Sequence, residues 1–275
     1  MKIAVLSDIH GNLAALDAVL AHAASFAPDH IVNLGDICSG ALWPAETADR
    51  LMALDLPTIR GNHERQVLEG DLASMGLSDR HARTSLSDDQ LAWLAALPPT
   101  LRLSDGVLLV HGTPASDLDY YLETVTATGL RAATPEEVEQ RTGSIDAELI
   151  LCGHTHVPRA LELAGGRLIV NPGSVGLPAY RDMHPYPHAI ENGSPHARYA
   201  MVAKQAGGWG VSFHLVPYDW EQAACDAERN DRADWPGPCD PASPDPPFGL
   251  QLLCRQIRRL VAGCGPSTGT SNALI

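Results

Sequence analysis

Apolar and polar positions alternate along this chain in two rhythms. Short runs such as Ile3-Ala4-Val5-Leu6, Leu108-Leu109-Val110 and Leu149-Ile150-Leu151 are too brief for helices and suit buried strands. By this criterion strands are predicted at 2–7, 30–34, 57–60, 106–110, 147–152, 159–163, 167–170, 199–204 and 210–216. The second rhythm is helical. Leu13, Leu16, Val19, Leu20 and Ala23 recur three and four apart behind Asn12, a good N-cap. Further helices are predicted over 44–54, behind the capping box Ser87-Asp88-Asp89-Gln90, and behind Thr134-Pro135-Glu136-Glu137 with proline at the first helical position. Strands alternate with helices early and follow one another later. That order predicts an α/β core, a four-layer sandwich in which helices flank two packed sheets.

Two stretches break the pattern. Residues 178–198 carry many Pro, His and Tyr residues and read as one long surface loop, a length that is commonly functional. After Trp235 six prolines fall within residues 236–247, then a short basic amphipathic stretch over 250–263 with Arg255, Arg258 and Arg259. The compact domain is therefore placed at 1–220. Residues 221–275 are read as a Pro-rich linker and a weakly ordered C-terminal tail.

Composition narrows the function. Lys plus Arg number 19 and Asp plus Glu 33, a formal net charge of −14, which repels a duplex phosphate backbone at long range. No apolar run is long enough to span a membrane. The first run ends in Asp8, so it reads as a strand and not a signal peptide. Cys38, Cys152, Cys225, Cys239, Cys254 and Cys264 form no CxxC pair, which predicts reduced thiols in a cytoplasmic protein.

The chemistry lies in five segments, each just after a predicted strand: Asp8-Ile9-His10, Gly35-Asp36, Gly61-Asn62-His63-Glu64, His111-Gly112 and Gly153-His154-Thr155-His156. Carboxyl ends of strands are where α/β proteins assemble sites. In an extended chain Asp8 and His10 would project from one face toward one ion, and His154 and His156 would do the same or divide between two neighbouring ions. Oxygen and nitrogen donors suit Mn²⁺, Fe, Zn²⁺, Co²⁺ or Ni²⁺ and argue against a thiolate zinc site. Alone, a single Asp-x-His or Gly-Asp means little; five such segments in this order point to metal.

This ordered set, with Asn171-Pro172-Gly173-Ser174 after it, resembles the calcineurin-like metallophosphoesterase superfamily and its small bacterial phosphodiesterase branch. The resemblance spans about residues 1–216 and leaves the tail uncovered. It implies that Asp8, His10 and His156 bind one divalent ion, that Asn62, His111 and His154 bind a second, and that Asp36 bridges them. His63 would be a general acid and Glu64 a structural support. Mn²⁺ is the expected metal. One position departs from the pattern: many family phosphatases carry an Asp three residues past the bridging Asp, and here Ser39 stands there, leaving His63 without an evident partner.

Two ions about 3.5–4 Å apart would share a hydroxide that attacks phosphorus in line. The expected substrate is a small phosphodiester or nucleotide, with no duplex nucleic acid and no membrane as partner. A phosphomonoesterase or protein phosphatase is the rival, weakened because Cys38-Ser39-Gly40 replaces the Asp-Arg-Gly usual there. A non-catalytic scaffold, like one retromer subunit of the same fold, is disfavoured because all seven ligand positions and His63 are filled. Arg60, Arg131 and Arg181 each offer a phosphate clamp. Cys38 and Cys152 read as small buried residues, and His184, His188 and His196 as surface histidines on a loop that could cover the site.

Overall fold

The computed structural model describes residues 1–232. In chain order its elements are β1 (Lys2–Leu6), α1 (Leu13–Ala24), β2 (His30–Asn33), α2 (Pro44–Leu54), α3 (Asn62–Glu69), α4 (Leu77–Ser85), α5 (Asp88–Ala96), β3 (Leu101–Ser104), β4 (Val107–Leu109), β5 (Glu123–Thr126), β6 (Gly129–Ala132), α6 (Pro135–Thr142), β7 (Leu149–Leu151), β8 (Arg159–Glu162), β9 (Leu168–Asn171), β10 (Ala179–Asp182), β11 (His188–Glu191), β12 (Ala197–Gln205), β13 (Gly208–Val216) and α7 (Trp220–Arg229). One sheet runs β13-β12-β1-β2 and the other β3-β4-β7-β9-β8, with β5-β6 and β10-β11 as separate hairpins.

Period-two alternation builds the layers. Ile3, Val5, Val32 and Val202 of the first sheet meet Val107, Leu109, Leu149, Leu151 and Val170 of the second in an apolar layer between them. The intervening residues Ala4, Leu6, Tyr199 and Met201 face α1 and its neighbours. Leu108, Ile150 and Ile169 face Val138 of α6 on the opposite outside. The result is the expected α/β/β/α sandwich. β1 and β2 are parallel, as are β4, β7 and β9, so the chain leaves several strands at the same edge of the fold.

The caps read from the sequence are present. Asn12 Oδ1 accepts the Ala15 N–H at 3.1 Å, Ser87 Oγ that of Gln90 at 3.3 Å, and Thr134 Oγ1 that of Glu137 at 3.3 Å. Other expectations need correction. Residues 178–198 are not one loop: β10 and β11 pair antiparallel from Ala179↔Glu191 to Asp182↔His188. The strand expected over 57–60 is reduced to a single bridge between Thr58 and Asn33. Helices α3 and α4 escaped prediction because their sequences, Asn-His-Glu-Arg-Gln-Val-Leu-Glu and Leu-Ser-Asp-Arg-His-Ala-Arg-Thr-Ser, lack an apolar stripe.

The packed unit also runs past residue 220. Ala223 and Ala227 of α7 bury against Ala41 and Leu42, so residues through Arg232 are held in place and do not begin a linker. The Pro-rich run and the basic stretch over 250–263 lie outside the described residues. No helix among the described residues is long and apolar enough to cross a membrane.

Candidate metal centre

The five motif segments converge at the shared strand edge, but not by the extended geometry expected. Asp8, His10, Asp36, His154 and His156 all take positive φ, at 56°, 52°, 54°, 69° and 58°. Side chains two apart therefore reach inward because the backbone coils between them, and not because a strand alternates. The loops are stitched to each other by main-chain bonds: Asp8 N to Gly35 O at 3.0 Å, His10 N to Asp36 O at 3.0 Å and Gly153 N to His111 O at 2.7 Å.

Two groups of donor atoms result, Asp8 with His10 and His156, and Asp36 with His111 and His154. Within each, one ligand atom per residue lies within 4.8 Å of the others. Asn62 Oδ1 joins the second group, 3.0 Å from His111 Nε2. The groups adjoin, since the His154 N–H donates to Asp8 Oδ2 at 3.2 Å.

Whether these atoms suit cations follows from their partners. The Nδ1 atoms of His10, His111 and His156 lie 2.6, 2.8 and 2.6 Å from the carbonyls of Ser39, Leu34 and Leu177. Those carbonyls fix the proton on Nδ1 and turn the Nε2 lone pair inward, the arrangement that outer partners impose on metal-binding imidazoles. His10 Nε2 then stands 3.2 Å from His156 Nε2, and His111 Nε2 stands 3.1 Å from Asp36 Oδ2. Buried Asp8 Oδ1 makes no well-formed hydrogen bond and faces His156 Nε2 at 3.4 Å. Lone pairs facing lone pairs in a buried site require either protons or cations between them, so the residues fit a pair of divalent ions.

The charge balance carries the same message. Burial, with the neighbouring His156 ring adding to it, pushes His10 down to about 3 against the pull of Asp36. At His111 burial also disfavours the charged ring, yet Asp36 outweighs it and raises the group to about 10. Burial opposes ionisation of Asp36 too, but the surrounding imidazoles hold it well below the usual carboxylate range. The site thus keeps its carboxylates ionised and demands positive charge beside them.

His63 sits on the first turn of α3 at the rim, its ring 5.4 Å from that of His10. Its main-chain N–H donates to Asp36 Oδ1 at 3.0 Å. Its Nδ1 lies 2.7 Å from Asp79 Oδ1, a residue that sequence reasoning missed. Asp79 arrives from α4, whose polar sequence carries no motif, and nothing local marks it. Burial opposes the His63 charge, but Asp36 and the Asp79 bond raise it to about 9. Glu64 is buried and accepts N–H bonds from Asp36 and Gly61 at 2.8 Å and from Ile37 at 2.7 Å, the supporting task expected of it. The same bond to Gly61 caps α3, whose N-cap glycine has no side chain to do so.

Outer residues fall into place around this core. Ser174 Oγ donates to Asp8 O at 2.8 Å and Asn171 Nδ2 to Gly153 O at 2.6 Å, so both brace ligand loops. Tyr180 packs edge-on against His156 at 4.7 Å and Tyr120 against His154 at 5.2 Å, and their hydroxyls lie 2.7 Å apart. His188 is buried with Nε2 2.9 Å from the Tyr120 hydroxyl, so it is not the surface histidine expected. His184 is 91% exposed. Of the three arginines, Arg131 is held by both oxygens of Glu137 at 2.8 and 2.7 Å, Arg181 is exposed on β10, and Arg60 directly precedes Gly61. Cys38 and Cys152 are buried, and burial pushes both thiols up, so they are inert fillers.

Sequence comparison decides the family. The calcineurin-like phosphoesterase superfamily domain matches residues 1–189, a span that contains every motif segment. The chain belongs to the calcineurin-like phosphoesterase superfamily. It is 27% identical over 201 residues to the uncharacterized protein MJ0912 of Methanocaldococcus jannaschii, covering 64% of this chain and 76% of that one. Among solved structures it is similar to a metallophosphoesterase from Sphaerobacter thermophilus, with 25% identity, a TM-score of 0.65, and coverage of 84% of this chain and 94% of that one. The family description is that of a phosphoesterase, and the two clustered donor groups here could each hold a metal ion.

Proposed function

We propose that this phosphoesterase hydrolyses a small phosphodiester or nucleotide with two divalent cations, Mn²⁺ being the expected metal. The observation that carries the reading is the adjoining pair of donor groups, each within 4.8 Å, with His63 at their rim. Asp8, His10 and His156 would hold one cation, Asn62, His111 and His154 the other, and Asp36 both. When bound, the cations supply a water acidified toward neutrality and positive charge against the phosphate oxygens.

The chain's own residues do the rest. His63 has Nδ1 engaged by Asp79, so Nε2 is the atom that delivers a proton to the departing oxygen. In the metal-free chain burial opposes its charge, while Asp36 and the Asp79 bond raise the ring to about 9. Arg65, which follows on α3, is held by both oxygens of Asp117 at 2.7 and 2.8 Å. With Arg65 so neutralised, and Cys38-Ser39-Gly40 in place of Asp-Arg-Gly, the site suits the single charge of a diester better than a dianionic monoester.

The test compares bis(4-nitrophenyl) phosphate with 4-nitrophenyl phosphate in the presence of Mn²⁺, Ni²⁺, Co²⁺, Zn²⁺ or Mg²⁺. Diester turnover is expected to exceed monoester turnover, to depend on added metal, and to vanish in Asp36→Asn. Faster monoester turnover would overturn the diester assignment. Turnover that survives Asp36→Asn or full chelation would overturn the metal site.

A further inference from the structure

Packing leaves the His63 ring free to turn, since its side chain is 29% exposed, so a proton donor at this place needs something to aim it. The loop after Asp36 offers only Ser39, whose hydroxyl carries no charge. That hydroxyl is buried and donates to Asp79 Oδ1 at 2.5 Å, while the same oxygen lies 2.7 Å from His63 Nδ1. We propose that Asp79 is the positioning residue of His63, a carboxylate delivered by α4 and aimed by Ser39, with Asn230 and Arg232 holding both in place.

The lock is visible in Arg232. Its guanidinium donates to Gly40 O at 3.3 Å and to Ser78 Oγ at 3.0 Å, the residues next to Ser39 and Asp79. Asn230 Nδ2 adds bonds to Ala41 O at 2.9 Å and Leu42 O at 3.0 Å. Helix α4 packs on both α2 and α3, so its Asp79 is carried on a framework shared with His63. Asp79 has only 12% of its side chain exposed, which limits its rotamers and shields its bonds from water. A carboxylate on Nδ1 keeps the transferable proton on Nε2 and points that atom at the rim of the donor groups. It does for the acid what an orienting carboxylate does for a catalytic imidazole elsewhere.

The proposal rests on His63 being the acid, and the experiment separates the two claims. Metal-loaded full-length enzyme is assayed on bis(4-nitrophenyl) phosphate, whose leaving group needs little protonation, and on diphenyl phosphate, whose leaving group needs more. Asp79→Ala is expected to cut kcat on diphenyl phosphate about 100-fold and on the nitrophenyl ester less than about threefold, within the range that proton transfer contributes. Asp79→Asn, which keeps the shape and guards against a folding defect, is expected to lose about tenfold on diphenyl phosphate alone. Asp79→Ala with Ser39→Asp, which returns a carboxylate to the loop, is expected to recover diphenyl phosphate turnover.

Equal slowing of both esters by the Asp79 variants, or none, overturns the assignment, as does a double variant no faster than Asp79→Ala. His63→Ala runs alongside. If it is selective for diphenyl phosphate and the Asp79 variants are not, only the positioning role falls; if it is not selective, the acid role falls and the positioning role with it.

Discussion

Glu64→Gln is the sharpest probe of how the centre is held together. Oε2 of Glu64 accepts from Asp36 N and Gly61 N, and Oε1 from Ile37 N, so one carboxylate fixes both the bridging-ligand loop and the start of α3. Charge-assisted bonds contribute about 1.5–3 kcal/mol each against about 1 for neutral ones. Glutamine can keep an oxygen toward Asp36 and Gly61, losing roughly 1–4 kcal/mol over those two bonds. It must then set an NH₂ against the Ile37 N–H, stranding a buried donor at a cost of about 1–3 kcal/mol. One effect opposes this: burial, together with the nearby Asp36 charge, raises Glu64, so neutralising it relieves repulsion. That relief offsets part of the loss of three N–H bonds at 2.8 Å or less, and the net loss is about 2–4 kcal/mol. For a chain of this size that is a fall in Tm of about 4–16 °C. Circular dichroism melts of metal-free protein measure it, and titration with Mn²⁺ should show weakened uptake because the Asp36 loop is no longer pinned. A Tm within about 2 °C of the parent, with unchanged Mn²⁺ affinity, would show that Glu64 does not organise the site.

Two further outcomes follow from buried charge and backbone shape. Glu123 is buried and raised by desolvation, with Arg159 Nε at 2.6 Å pulling it back; a carboxyl raised on folding holds its proton longer folded than unfolded, so stability falls as pH climbs from its unfolded value through its folded one. Arg159→Ala should therefore cost about 2 kcal/mol at pH 8, discounted for the partly exposed arginine, and clearly less at pH 5, in urea melts at both pH values; a pH-independent loss would refute the pairing. Second, since His156 has φ 58°, metal-free His156→Gly should be more stable than His156→Ala by about 1 kcal/mol, the reverse of the usual order, and equal melts would deny backbone strain there.

What the sequence disclosed divides along physical lines. Buried strands such as Leu149–Leu151 and capped helices such as α6 carry their signal locally, in apolar runs and N-cap side chains, and both were legible. The candidate ligand positions were legible because most follow such a strand, while Asn62 follows only the single bridge at Thr58. Helices α3 and α4 were not, because they are held by tertiary contacts and by Glu64, with no apolar stripe to announce them. The β10–β11 hairpin was hidden by the Pro- and His-rich turn between its strands. Asp79 was hidden for a different reason. It stands 40 residues from Ser39, and its role is a meeting in space that no spacing rule encodes.

The five candidate ligands at positive φ show why the site needs so many outer braces. A non-glycine residue at positive φ costs on the order of 1–3 kcal/mol, so five together approach the whole stability of an ordinary domain. Such backbone persists only where its surroundings determine it. Here the determination is explicit: Asp8 and His10 donate to the loop of Asp36, Ser174 and the Gly176 N–H bond to Asp8 O, and Glu64 ties Asp36 to α3. Where a side chain would be in the way, glycine stands, as at Gly153, whose Cβ would fall 2.0 Å from Ser7 Oγ and 3.0 Å from Asp8 Oδ2. The strain therefore sits in loops that cannot relax one at a time. That rigidity holds the donor atoms together before any ion arrives, so a cation would displace protons without having to order the residues around it. A site assembled from relaxed loops would have to meet that ordering cost with each ion it bound.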